Sequence, residues 1–154
     1  MLDVSSFDTS NVREFSQIFE VCYALEEIKG LGNWNTANGQ DFGEIFSGCR
    51  SLKVLDLSGF DTRNANSKYL SNGKYANCMF QNAFNGLTGL EKIIFGPYFS
   101  FDGDGSAPDA YKAVMPTSGV AGWDGKWYNA ETGVGYLPSE IPEETAATYV
   151  AVKP

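Results

Sequence analysis

Apolar and polar positions alternate along this chain in a pattern that returns. Leu52, Leu55, Leu57 and Phe60 form L-x-x-L-x-L-x-x-F. The alternation Leu55-Asp56-Leu57-Ser58 predicts a short strand with one buried face. LDVSSFDTSN at Leu2 comes back as LDLSGFDTRN at Leu55, a shift of 53 residues. Half that distance in, Ile28, Leu31, Trp34, Asn35, Thr36 and Asn38 form a degraded copy. Phe19, Phe46 and Phe84 each stand six residues before Leu25, Leu52 and Leu90, which stand three before Ile28, Leu55 and Ile93. Val12, Phe15, Ile18 and Phe19 have helical spacing and predict a short helix. Asp8-Thr9 and Asp61-Thr62 precede such segments as turn or cap residues. Each unit thus reads as strand, turn, short helix, turn. One unit cannot bury its own face, whereas stacked units can, with their strands parallel.

A period of 26 to 27 residues fits a leucine-rich repeat. The expected fold class is therefore α/β: a leucine-rich-repeat solenoid of short parallel strands and short helices, ending in a C-terminal β-hairpin-like cap. The order LDVSSFDTSNV, then IF, then Cys, then Leu resembles the BspA-type leucine-rich repeats of bacterial surface proteins. The resemblance spans residues 2–98, as three full units and a partial fourth, Ile93-Ile94-Phe95. It departs where Phe15 and Ile18 replace Met, where Trp34-Asn35 replaces Phe-Asp, and where Leu87 replaces Cys. The resemblance implies an extracellular, cell-surface recognition or adhesion module, with a host or neighbouring-cell protein or glycan as partner. Met1 leads into what reads as mid-repeat, with no basic or apolar leader, so the expectation is an internal piece of a longer secreted chain.

The third unit carries an insertion at about residues 65–82. It is polar, with Tyr69, Tyr75 and Phe80 interspersed, and reads either as a tolerated surface bulge or as a recognition loop. The repeats occupy residues 1–98, and residues 99–154 read as a loop-rich linker and small β cap. There Lys126–Tyr128 and Val134–Leu137 suggest a hairpin, and Thr148–Val152 a final β-rich run. Trp123, Trp127, Tyr128, Tyr136 and Tyr149 read as a cap core, or else as a carbohydrate-stacking platform.

Composition narrows the chemistry. With 11 Lys+Arg against 19 Asp+Glu the net charge is −8, which argues against nucleic acid as a partner. No stretch approaches the roughly 18 apolar residues of a membrane-inserted helix. There is no His, so Ser-His-Asp and Cys-His sites within this chain are ruled out and the expectation is no enzyme. Asp102-Gly103-Asp104-Gly105 begins like a calcium loop, but Ser106 and Ala113 stand where further ligands would be needed, so no metal or other cofactor is expected. Cys22 and Cys49 fall at equivalent repeat positions and read as buried thiols, with a disulfide open if their Cα atoms come close; Cys78 lies in the insertion.

Strand alternation turns Asp3, Ser5, Glu27, Lys29, Val54, Asp56, Ser58, Lys92 and Ile94 outward. These form the candidate binding face. Two functions fit them: a non-catalytic recognition module, and a structural spacer with no ligand of its own.

Overall fold

The computed structural model of this chain describes residues 1–66, 82–106 and 112–154. Among the described residues there are seven strands: β1 (Leu2–Asp3), β2 (Ile28–Lys29), β3 (Val54–Leu57), β4 (Lys92–Phe95), β5 (Trp127–Asn129), β6 (Gly135–Tyr136) and β7 (Ala147–Val150). β1 and β2 pair in parallel, Leu2 opposite Ile28. The other five make one mixed sheet in the order β3-β4-β7-β5-β6. Within it β3 and β4 are parallel, while β7 runs antiparallel to both β4 and β5, and β6 antiparallel to β5. Alternation explains the strands: Leu55, Leu57, Ile93 and Phe95 point into the core, and Val54, Asp56, Lys92 and Ile94 point out, half-buried.

The expected α/β solenoid class is corrected by this architecture. Among the described residues there is no α-helix, only the 3₁₀ turns Leu31–Asn33 and Pro138–Glu140. The strands do not form one continuous parallel stack either; they divide between a two-stranded sheet and a mixed five-stranded one. The stretch from Val12 to Phe19 shows why its helical spacing misleads. Phe15 and Phe19 are buried, but Ile18 is 45% exposed, so no single helical stripe is formed. Gln17 and Val21 are left-handed, at φ 60° and 61°, which a right-handed helix excludes. The amides bond across to the next unit instead. Phe15 N–H donates to the Asp41 carbonyl at 2.8 Å, Gln17 to Gly43 at 3.0 Å, Phe19 to Ile45 at 3.0 Å and Val21 to Ser47 at 2.7 Å. A helix this short has little stability of its own, so partners 26 residues away win.

The repeat copies nevertheless face one another. Phe19 stacks on Phe46 with ring centroids 5.5 Å apart, and Phe46 on Phe84 at 6.2 Å. Phe15 stacks on Phe42 at 5.2 Å, and Trp34 on Phe60 at 6.4 Å. Such pairs add about 0.5–1.5 kcal/mol each beyond their burial. A column of buried threonines runs beside them. Thr9 Oγ1 donates to the Asn35 carbonyl at 3.0 Å, Thr36 to Asp61 at 2.9 Å and Thr62 to Ser100 at 2.9 Å. Asn38 and Asn64 reach the other way, to the Ser10 and Ala37 carbonyls.

β7 covers the edge of β4, setting Tyr149 opposite Ile93 and turning its ring inward. Tyr149 meets Phe95 and Tyr136 edge-on, at 6.2 and 6.0 Å. Trp127 is fully buried, and its indole N–H donates to the Pro116 carbonyl at 2.8 Å. Where the chain leaves β4, the backbones come very close: a Cβ on Gly96 would collide with the Ser58 carbonyl, so only glycine fits.

Candidate functional site

The outward candidates separate into two groups. Asp3 and Lys29 lie on the two-stranded sheet, Ser5 sits in the turn just after β1, and the three satisfy one another. The Asp3 carboxylate accepts the Ser5 amide at 3.0 Å, takes a short hydrogen bond from the Ser5 hydroxyl, and meets Lys29 Nζ at 2.9 Å. The Ser5 hydroxyl, then its amide, then Lys29 hold Asp3 well below the usual carboxylate range, and Asp3 raises the Lys29 ammonium in turn. Glu27 is exposed just before β2.

The second group lies on the five-stranded sheet, where register sets its residues in two cross-strand rows. One row runs Val54, Lys92, Val150, Tyr128. The other runs Asp56, Ile94, Thr148. Asp56 accepts the Ser58 amide at 3.0 Å, which fixes the turn leaving β3 and leaves Ser58 exposed at its rim. Thr148 and Val150 were not among the outward candidates of the sequence, and Tyr128 stood there as a cap or sugar-stacking aromatic. The alternation within Thr148–Val152 was visible, but the pairing of β7 with both β4 and β5 was not. Tyr128 closes the first row through its hydroxyl, which donates to Asp124 Oδ2 at 2.5 Å. That bond lowers the Asp124 carboxyl and raises the Tyr128 phenol.

Two open depressions lie over these rows. One, about 610 Å³, is lined by Val54, Lys92 and Val150 with Glu91, Val120, Ala121 and Val152. The other, about 600 Å³, is lined by Ile94 and Thr148 with Ser58, Pro97, Asn129 and Glu131. The floor is therefore branched aliphatic, with one ammonium and carboxylates at the margins. Such a surface can bury apolar side chains and pair a charge. Trp127 and Tyr149 turn into the core, and Tyr128, at the end of the outward row, is only 8% exposed, so this surface has little ring area for stacking sugars.

Tyr69, Tyr75, Phe80 and Cys78 lie outside the described residues. Among the described residues no group of three or more Cys, Asp or Glu side chains is arranged to hold a metal. Asp102 pairs with Lys112 at 3.2 Å, and Asp104 accepts the Ser106 amide at 2.8 Å. No helix among them is long and apolar enough to cross a membrane. Cys22 and Cys49 are free thiols, Cys49 fully buried with its pKa pushed up to about 11 by desolvation.

No curated protein and no solved structure matches the chain. A family model does match, over residues 1–88, which takes in most of the repeat span 2–98. It carries the coarser part of the resemblance, a bacterial surface repeat protein, without the BspA-type leucine-rich-repeat assignment. Since it takes in more than half of the sequence, the chain belongs to the DUF285 family, described as a Mycoplasma protein of unknown function.

Proposed function

We propose that this chain is a non-catalytic recognition or adhesion module, displayed outside a bacterial cell, with kinship to the BspA-type surface proteins. The face built by β3, β4, β7 and β5 binds the ligand. The observation that supports this most is the pair of cross-strand rows, which place Val54, Ile94 and Val150 beside Lys92 and Asp56 on one half-buried surface. Half-buried aliphatic side chains around a charge suit an interface, where a few central residues carry most of the binding energy. The inward turn of Trp127 and Tyr149, with Tyr128 almost fully covered, favours a surface protein of a host or neighbouring cell over a glycan.

The test is binding of the full chain to immobilised extracellular-matrix proteins and to a glycan array. Retention on a protein ligand is expected, with a loss of about tenfold or more in affinity for Lys92→Glu and Ile94→Asp. Failure across all ligands, or equal binding by both variants, overturns the assignment.

A second reading is a structural spacer that projects other parts of a surface protein. The mutual pairing of Asp3, Ser5 and Lys29 favours it, because that end of the face spends its charges on itself. It expects replacement of Asp56, Lys29 and Lys92 to change no binding.

A further inference from the structure

We infer that Cys22 and Cys49 are a closable thiol pair: a low-molecular-weight disulfide oxidises them to an intrachain cystine that ties the first repeat unit to the second. The register of the turn ladder carries this. Phe19 N–H donates to the Ile45 carbonyl and Val21 N–H to the Ser47 carbonyl, a parallel pattern that sets residue 22 opposite residue 49. Directly opposed residues of neighbouring chains in such a ladder lie about 4.8 Å apart, inside the roughly 4.4–6.8 Å Cα window of a disulfide. Both cysteines sit in the same local turn. Cys22 N–H donates to the Phe19 carbonyl at 3.3 Å, and Cys49 N–H to the Phe46 carbonyl at 3.1 Å. The Cys49 thiol also crosses to the first unit, donating to that same Phe19 carbonyl at 3.0 Å. The next unit ends the column with a buried Leu87, so each thiol has one partner there.

Access orders the chemistry. Cys22 is half-buried and Cys49 fully buried, so an oxidant meets Cys22 first. The Cys22 thiolate attacks one sulfur of glutathione disulfide, forming a Cys22–glutathione bond and expelling one glutathione thiolate. Cys49 gives its proton to solvent, attacks the Cys22 sulfur and displaces the second glutathione. Two protein thiols and one glutathione disulfide thus become one cystine and two glutathiones. The second step is slow at neutral pH, because desolvation keeps Cys49 protonated up to about pH 11.

The experiment incubates the reduced full chain, as wild type and as Cys78→Ser, with glutathione disulfide, followed by tryptic mass mapping. Cleavage at Lys29 separates the two cysteines, so a cystine appears as a cross-linked peptide pair. The expected result in both proteins is a Cys22–Cys49 cross-link, two hydrogens lost and no glutathione retained. Closure should speed up about tenfold per pH unit below the Cys49 pKa. In Cys49→Ser, glutathione should stay on Cys22. Retention of glutathione on Cys22 in the wild type, unchanged free thiols, or cross-links only to Cys78 would overturn the pair. None of these outcomes depends on the binding function.

Discussion

Val21 has φ 61°, where the second and third units place Gly48 at 78° and Gly86 at 76°. The ladder amides show the three to be equivalent, since Gly48 N–H donates to the Asn85 carbonyl as Val21 N–H does to Ser47. A β-branched residue in the left-handed region costs about 1–2 kcal/mol, and Val21 recovers little of it because its side chain is 47% exposed. Glycine gives back part of the gain through unfolded-chain entropy. Val21→Gly should therefore stabilise the chain by about 0.5–1 kcal/mol, read as a higher urea midpoint at unchanged slope. Thr36 carries the opposite lesson. Its hydroxyl donates to the Asp61 carbonyl and accepts the Asp61 amide, both at 2.9 Å, at a fully buried position. Thr36→Val keeps the shape and orphans both groups, so it should cost about 2 kcal/mol, and Thr36→Ser clearly less. The sequence marked Thr36 only as a position of the degraded copy and offered Thr9 and Thr62, in their Asp-Thr pairs, as turn or cap residues, because the carbonyls these threonines serve lie far along the chain.

At the scale of elements, β4 is the hinge between two kinds of pairing. On one side it continues the parallel repeat register with β3; on the other it takes β7 antiparallel. Tyr149 fastens that second junction, buried against Phe95 and Tyr136. Tyr149→Ala should cost about 3–4 kcal/mol. Native-state hydrogen exchange should then show β4 amides losing protection, while amides between the first two units keep theirs. Strands 54–57 and 92–95 were legible because alternation has one reading over four residues. The stretch from Val12 to Phe19 was not, because apolar residues three and four apart serve a helix and a turn ladder equally well. The candidate face was legible in part for the same reason: alternation gave Val54, Asp56, Lys92 and Ile94, while Thr148, Val150 and Tyr128 depended on which strand lies beside which.

For the whole molecule, acid is the informative variable. Asp8 is held low by the Ser10 hydroxyl, Asp61 by its bond from Arg63, Asp124 by the Tyr128 hydroxyl and Asp3 by Ser5 and Lys29. A carboxylate with a depressed folded pKa stabilises the fold above its unfolded value, about 4, and that contribution is lost as pH falls through the folded value. Urea midpoints should be nearly level from about pH 5 to 8 and decline below about pH 4. Asp61→Asn should lower the plateau and flatten part of the decline. A decline that begins above pH 6 would point to other groups, since the chain has no His to titrate there.

By itself the sequence determined the repeat spacing and most of the core. Phe19, Phe46, Phe84, Leu52, Leu55, Leu90 and Ile93 recur at fixed offsets, and all are buried. Burial follows from side-chain chemistry, which every residue carries with it. Tertiary structure alone decided that the expected helices are turns, that β7 lies between β4 and β5, and that three cap residues complete the outward face. Those choices depend on where backbone hydrogen bonds find partners. Here the partners are other units and a distant strand, chosen only when the coils come together.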